Sequence, residues 1–353
     1  MAPSIISING QKVRFGVGLR NDIGTELSQL DSDRALVLST PQQADMAMEL
    51  ATKIGDRAAG VFTRAMMHTP VEITEEALEH ARSINADSIV AIGGGSTIGL
   101  GKALALRTGL PQIAIPTTYA GSEATPILGQ TEQGVKTTLT DKVVLPRVIL
   151  YDPQLVATLP SGMTVTSALN AMAHAAEALY AKDRTDQTTE LAIKGLRDFA
   201  EGLPNVVENP GDLKAREETQ HGAWACGTVL GQVGMALHHK LCHTLGGSFN
   251  LPHAETHAII LPHAIWYNAQ GAPEPLTPVS QVLGGHAPGQ ALWDFAARMK
   301  APMALKDLGM SEADLDRATD IALQNPYWNP QPVTADGVRV LLQNAWAGNA
   351  PGA

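Results

Sequence analysis

The feature of this sequence that most constrains its fold is a change of pattern near residue 157. Before that point, short apolar runs alternate with amphipathic stretches, which is typical of βαβ units around a parallel sheet. Strands are predicted at residues 12–17, 35–38, 58–62, 88–92, 112–115 and 143–151. The helices predicted between them cover residues 22–30, 42–54, 74–84 and 98–107.

After residue 157 the chain becomes rich in Ala, Leu and Met with helical periodicity. Helices are predicted at residues 164–180, 188–203, 213–245, 289–299, 312–323 and 337–346. The run 271–292, with four prolines and four glycines, is predicted to be a loop. At 353 residues the chain suits two domains. We therefore expect an α/β fold: a Rossmann-like α/β domain over residues 1–157, followed by an all-α domain over residues 158–353.

A glycine-rich turn follows the predicted strand at 88–92. Its sequence is Gly93-Gly94-Gly95-Ser96-Thr97, directly before a predicted helix. Glycines permit close backbone approach, and the amides of a helix N-terminus bind phosphate oxygens. Thr117 and Thr118 end the next strand, so both strand ends would border one crevice, where doubly wound sheets bind ligands. The pattern predicts a dinucleotide site, with a tightly packed structural turn as the alternative.

Five of the chain's 11 histidines lie within 20 residues, between His238 and His257. A predicted helix over 232–245 places His239 and His243 one turn apart on one face, flanked by Lys240. Gly246 and Gly247 are predicted to end that helix, with His253 in an irregular segment after a proline. Such a cluster indicates metal ligation or proton transfer near neutral pH.

The bulk composition narrows the choice of partners. A net charge of −10 without a basic run argues against nucleic acid as a partner. Two cysteines are too few for a disulfide scaffold and fit a reducing compartment. Neither a signal-peptide pattern nor an 18-residue apolar run occurs, so we expect no membrane association and a cytoplasmic location.

Several motifs together resemble the iron-containing alcohol dehydrogenase family, within the dehydroquinate-synthase-like fold. They are the GGGS, PTT, GSE and YDP motifs of residues 93–153, NAMAHAAEA at 170–178, and the histidine stretch through the LPHA and LPH motifs that end at residue 263. The resemblance covers nearly the whole chain. It implies an NAD(P)-binding domain, a helical domain with the active site in the cleft between the two, and a homodimer formed through N-terminal strands.

The chain departs from the metal-dependent members of that family at one ligand position. Their Asp-x-x-x-His pair and two further histidines correspond here to Asn170, His174, His239 and His253. A neutral carboxamide offsets none of a dication's charge, and the ammonium of Lys240 would oppose one, so we expect no metal. In both respects the histidine stretch resembles the metal-independent maleylacetate reductase branch. That resemblance implies reduction of the dicarboxylate maleylacetate to 3-oxoadipate by NADH or NADPH, in the degradation of aromatic compounds.

Roles follow from the resemblance and from the chemistry of the side chains. His243, Lys240 and His253 are predicted to be catalytic, with His243 as proton donor or oxyanion partner and Lys240 as a clamp on carboxylate or enolate. The residues predicted to bind substrate are Asn170, His174, His239 and His257. The residues predicted to bind the cofactor are Ser39, Gly93, Gly94, Gly95, Ser96, Thr97, Thr117, Thr118 and Lys136. Because Ser39 stands where the family often has an acidic residue, we expect NADPH to be accepted alongside NADH.

Three alternatives stay open at this stage. A metal-dependent alcohol or lactaldehyde dehydrogenase would share the fold and cofactor but use iron or zinc. A lyase of the dehydroquinate-synthase type would share the fold without net redox chemistry. A nucleotide-binding sensor would need no cluster of titratable groups, so the histidine density argues against it.

Overall fold

The computed structural model describes residues 4–8, 10–285 and 287–352, and the side chain of Lys136 lies outside the described part. By internal contacts the chain divides into two units. The first runs to Leu159 and takes in Gly211–Gln220, and the second comprises Pro160–Pro210 and the chain from His221 onward. The break at Leu159 lies two residues beyond the predicted boundary. Gly211–Gln220 groups with the first unit, where the buried Arg216 donates to the hydroxyl of Tyr119 at 3.1 Å.

The first unit contains a mixed sheet of seven strands. In chain order, its strands and those of a separate hairpin are β1 (Ser4–Ile8), β2 (Gln11–Phe15), β3 (Ala35–Leu38), β4 (Ala58–Phe62), β5 (Ser88–Gly93), β6 (Gln112–Pro116), β7 (Ile127–Glu132), β8 (Val135–Thr140) and β9 (Val148–Tyr151). The sheet order is β1-β2-β9-β6-β5-β3-β4, and every neighbouring pair is parallel except β1 with β2. The two-stranded antiparallel sheet β7-β8 was not predicted, because its polar sequence lacks the apolar run of a buried strand.

Helices cover both faces of the seven-stranded sheet. They are α1 (Ile23–Gln29), α2 (Ala44–Ile54), α3 (Val71–Ser83), α4 (Gly95–Thr108) and the single turn α5 (Pro153–Val156). Leu27 and Leu50 pack with Val90 and Ile92 on one face, while Leu78 and Leu104 pack with Leu36 and Ile89 on the other. Central strands that are buried on both faces are consequently almost wholly apolar, as β5 is after its first residue, Ser88. The predicted Rossmann-like architecture is confirmed.

The second unit is helical, as predicted, but its helices begin and end elsewhere. They are α6 (Ser161–Ala178), α7 (Asp186–Glu208), α8 (Leu213–Leu230, whose first residues group with the first unit), α9 (Leu237–Phe249), α10 (His253–Asn268), α11 (Pro273–Leu283), α12 (Pro288–Arg298), α13 (Leu315–Leu323) and α14 (Ala335–Ala347). Every residue of α6 from Thr164 to Ala178 is buried, so α6 is a core helix of this unit. No helix in the described ranges combines the length and the hydropathy needed to span a bilayer.

Three predictions in the histidine region were wrong. The predicted helix over 213–245 is interrupted between α8 and α9. Helix α9 runs through Gly246 and Gly247 to end at Phe249, and its C-cap Asn250 adopts a left-handed conformation with φ 55°. The segment predicted to be irregular around His253 is the start of α10, with Pro252 at its N-cap. The predicted loop over 271–292 also contains α11, because two of its prolines lie in the first turn, where a missing N–H costs no hydrogen bond.

Candidate active site

The α/β unit brings the predicted cofactor residues to one edge of its sheet. Strands β3, β5 and β6 are neighbours and parallel, so Ser39, Gly93 and Thr117 stand side by side at or just beyond their carboxyl ends. The amide of Thr117 donates to the carbonyl of Gly93 at 3.1 Å. This is the crevice in which open α/β sheets bind nucleotides.

The three glycines of the turn differ in what surrounds them. A Cβ on Gly93, whose φ is +158°, would lie 2.3 Å from the hydroxyl oxygen of Thr97, and one on Gly94 would lie 3.0 Å from Thr118. A Cβ on Gly95, the first residue of α4, would meet nothing within 4 Å. Packing therefore requires glycine at position 93, while Gly94 is closely packed against the side chain of Thr118. The third borders open space at a helix N-terminus without a side-chain cap, which fits a pyrophosphate.

The polar side chains around this turn differ in accessibility. Thr97 is fully buried and its hydroxyl oxygen has no hydrogen-bond partner among the described residues, whereas Ser96 is half-buried. The hydroxyl of Ser39 is buried and donates to the carbonyl of Thr40 at 3.1 Å. Gln43, which sequence reasoning missed, donates from Nε2 to the hydroxyl of Thr117 at 2.9 Å and lies against Gly93. Lys136 falls in β8, and its side chain is outside the described part of the chain.

In the helical unit, three helices converge on the histidines. Because α9 begins at Leu237, His239 and His243 lie one turn apart as predicted, with ring centroids 6.2 Å apart. Helix α10 places His253 and His257 one turn apart, at 4.3 Å. Helix α6 supplies Asn170 and, one turn on, His174, whose ring is 5.0 Å from that of His239 and 6.3 Å from that of His257. The structure therefore brings together all six of these predicted histidine and asparagine positions.

Burial divides this cluster into two layers. His243 and His253 are exposed. Asn170, His174, His239 and His257 are buried, and His239, the most accessible of these four, is only 7 % exposed. The exposed pair is accessible to a ligand from solvent, and the buried group lies behind it.

A buried glutamate that sequence reasoning missed lies at the base of the cluster. Glu177 is fully buried on α6, three residues after His174, and its Oε2 accepts from Nδ1 of His239 at 2.6 Å. Burial alone would raise its pKa, but the hydrogen bond and charge of His239, the charge of His238 and the amide of Ala236 outweigh it and lower the pKa to about 2. The spacing of Asn170, His174 and Glu177 along α6 places all three on one helix face, and this signal is visible in the sequence.

The hydrogen bonds continue from Glu177 through two imidazoles. Nε2 of His239 lies 3.0 Å from Nδ1 of His174. An ionised carboxylate can only accept, so Nδ1 of His239 carries the hydrogen between it and Glu177. The result is a chain of contacts from Glu177 to His239 to His174.

A second pair of imidazoles lies beside this chain. Nε2 of His238 is 2.9 Å from Nδ1 of His257, and Sγ of Cys242 is 3.6 Å from the same nitrogen of His238. Burial and neighbouring histidines lower the pKa of His238 to about 3 and that of His257 well below its usual range. Both rings are therefore neutral near pH 7, and their contact is a hydrogen bond between neutral imidazoles.

Lys240 does not donate to the histidines in this structure. Its ammonium donates to the carbonyl of Gln324 at 2.9 Å and lies 5.7 Å from the ring centroid of Tyr327. Its predicted action on a substrate carboxylate stays a prediction.

The family's metal positions offer a dication a weaker set of donors here, because no carboxylate is among them. Asn170 provides no charge, and Nδ1 of His174 and Nε2 of His239 are engaged with each other. Among the described residues, the only three His, Cys, Asp or Glu side chains whose donor atoms lie within 4.8 Å of one another are His238, Cys242 and His257. The outer nitrogens of those two histidines are buried without a hydrogen-bond partner, so they lack the acceptors that support metal-bound imidazoles.

Known proteins resemble this chain over its whole length. A profile described as iron-containing alcohol dehydrogenase matches residues 10–153, and one described as Fe-containing alcohol dehydrogenase family, C-terminal, matches residues 164–346. The maleylacetate reductase of Rhizobium sp. (strain MTP-10005) is 55% identical over 99% of this chain and 100% of its own length. The maleylacetate reductase of Burkholderia cepacia is 51% identical over 96% of this chain and 97% of its own.

Solved structures agree with these relatives. The crystal structure of maleylacetate reductase from Agrobacterium tumefaciens superposes with a TM-score of 0.95 at 53% identity, covering 99% of this chain and 100% of the other. With the profiles and relatives matching both halves of the sequence, the chain belongs to the iron-containing alcohol dehydrogenase family.

Proposed function

We propose that this protein is a maleylacetate reductase, which reduces the carbon–carbon double bond of maleylacetate to give 3-oxoadipate with NADH or NADPH and without a metal. Identity of 55% to an enzyme of that name over 99% of the chain supports the substrate. The observation that carries the metal-independent reading is the neutral Asn170 at the position where metal-dependent relatives have a carboxylate ligand. His174 and His239, at two further ligand positions, lie within hydrogen-bond distance of each other. This reading places the protein in the degradation of aromatic compounds.

The cofactor would be held by the crevice at the carboxyl ends of β3, β5 and β6. The open space at Gly95 and the first turn of α4 fit the pyrophosphate, with Ser96, Thr118 and Gln43 as nearby polar groups. When bound, the reduced nicotinamide supplies a hydride to the alkene carbon β to the ketone. Ser39 carries no charge to repel a 2′-phosphate, which supports use of NADPH as well as NADH. A ratio of kcat/KM values for NADH over NADPH above about 10³ would contradict this point.

The histidine cluster would bind the substrate and complete the reduction. Addition of hydride turns the enone into an enolate, which needs a hydrogen-bond donor at oxygen and a proton at the adjacent carbon. His243 and His253 are the exposed imidazoles of the cluster, so we assign the proton donor and the oxyanion partner to them, with His243 as the principal donor. Lys240 is the lysine nearest to the histidine cluster in the sequence, so we assign to its ammonium the binding of a substrate carboxylate. In a chain of net charge −10, a dianion requires such local donors.

The decisive test measures NADH oxidation at 340 nm with maleylacetate, using protein dialysed against a chelator and checked for iron and zinc by elemental analysis. We expect full turnover at substoichiometric metal. If activity disappears on chelation and returns with Fe²⁺ or Zn²⁺, the metal-dependent alternative is correct. Lactaldehyde and simple alcohols, assayed in parallel, separate that alternative by substrate.

We also propose a cytoplasmic homodimer with no nucleic-acid or membrane partner. Strand β1 ends the sheet order, and Ile5 on it is 59% exposed. Within the described part of the chain its outer edge pairs with no strand, so it suits pairing with a second copy. Light scattering of the purified chain tests the dimer, and a monomeric mass at micromolar concentration would refute it.

A further inference from the structure

Glu177 accepts four hydrogen bonds, two on each carboxylate oxygen. Oε1 accepts from the amide of His238 at 2.9 Å and from the hydroxyl of Tyr180 at 2.8 Å. Oε2 accepts from the amide of Ala236 at 3.0 Å and from Nδ1 of His239 at 2.6 Å. Four donors converging on one carboxyl group require it to act as an acceptor at both oxygens, as an ionised carboxylate does.

These contacts fix the start of α9, the ring of His239 and, through that ring, the contact with His174. The two amides belong to the start of α9, so Glu177 anchors the helix that carries His239 and His243. The contact to Nδ1 sets the rotation of the His239 ring and leaves its Nε2 facing His174. Metal-dependent relatives would hold the imidazole equivalent to His239 through an ion, and this chain holds it through the carboxylate of Glu177.

We propose that Glu177 is a positioning residue for maleylacetate reduction, holding the hydrogen of His239 on Nδ1 and thereby orienting the His239–His174 pair behind the substrate. This inference rests on the proposed function. Glu177 itself touches neither substrate nor cofactor. Glu177 affects turnover through His239. It adds a residue to the active site that was not predicted from the sequence.

The test variant is Glu177→Gln, which keeps the shape but can turn an NH₂ group toward Nδ1 of His239. We expect kcat to fall by about 10- to 100-fold, as for other groups that orient an active imidazole, with the KM for maleylacetate changing by less than about 3-fold. In ¹⁵N NMR of histidine-labelled protein, the signal of protonated Nδ1 of His239 should be lost or shifted. NADH binding, followed by fluorescence, should be unchanged.

Tyr180→Phe is the matched control, because it removes the hydrogen bond to the other oxygen of Glu177, together with one from Asn268, and leaves His239 untouched. Its kcat should stay within about 3-fold of wild type, and the His239 signal should stay in place. The proposal is overturned if Glu177→Gln retains wild-type kcat, or if both variants lose kcat equally, which would indicate a purely structural role.

The wild-type spectrum keeps the proposal falsifiable even if Glu177→Gln does not fold. Finding the hydrogen of neutral His239 on Nε2 in the wild-type protein would overturn it. Because that spectrum needs no substrate, it is independent of the reaction assigned here. A wild-type protein with the expected tautomer but no activity on maleylacetate would refute the proposed function and leave the geometry intact.

Discussion

At the scale of single residues, exposure separates the histidine predicted to be the proton donor from those behind it. His243 is exposed on α9, one turn beyond the buried His239. Replacing His243 by Ala should lower kcat by about 10²- to 10⁴-fold, the usual contribution of a positioned general acid. Steady-state NADH oxidation with maleylacetate measures it. Ser248→Ala, at an exposed position of the same helix, is the control expected to retain wild-type turnover, and near-normal kcat in His243→Ala would remove this residue from the mechanism.

Single residues also show how far the sequence could predict the site. The i,i+4 spacing of His239 and His243 is a local property, so it was predicted correctly. The contact between Glu177 and His239 joins residues that lie 62 positions apart on different helices, so no local sequence pattern predicts it. Lys240 shows the same limit, because its partner, the carbonyl of Gln324, lies 84 residues away along the chain.

At the scale of elements, periodicity predicted the strands of the parallel sheet well and several helix boundaries poorly. Apolar runs such as β5 are buried on both faces and stand out in the sequence. Helices α10 and α11 were missed because prolines were read as breakers. Pro273 lies at the start of α11 and Pro252 at the N-cap of α10, positions where proline interrupts no hydrogen bond. Tertiary packing keeps Pro262 and Pro278 inside helices, where local propensity alone would end them.

The turn between β5 and α4 gives a prediction at this scale. Gly95→Ala should fold normally, since its Cβ meets nothing within 4 Å and alanine favours a helix, yet the methyl group occupies space next to the proposed pyrophosphate. We expect the KM for NADH to rise about 10-fold, corresponding to about 1.4 kcal/mol of lost binding, with an unchanged melting temperature.

Gly93→Ala is the contrasting variant in the same turn. Its Cβ would collide with Thr97, and its φ of +158° disfavours a side chain, so this variant should lose stability, by about 1–3 kcal/mol. Thermal unfolding and NADH kinetics of the two variants check both expectations together. A Gly95→Ala protein with wild-type KM would show that the pyrophosphate does not bind at this turn.

At the scale of the whole molecule, buried neutral histidines make stability depend on pH. Burial lowers the pKa of His263 to about 4, and that of His221 to about 4 with help from the charge of Lys194. In the unfolded chain these groups take up a proton near their ordinary pKa of 6.5. Between that value and about 4 the unfolded chain binds more protons than the folded one. Stability therefore falls as the pH is lowered through this window, and it is fully present above it.

His263 allows this dependence to be tested away from the catalytic cluster. It lies inside α10, packs edge-on against Trp293 at 5.5 Å, and its Nε2 is buried without a hydrogen-bond partner. Each unit of pKa shift corresponds to about 1.4 kcal/mol, so lowering the pH from 7.5 to 5 should cost wild type about 2 kcal/mol through His263. His263→Leu cannot take up this proton. Its free energy of unfolding, measured with urea at pH 7.5 and at pH 5, should therefore fall by about 2 kcal/mol less than that of wild type. Equal losses in wild type and His263→Leu would mean that the buried imidazole does not drive acid unfolding.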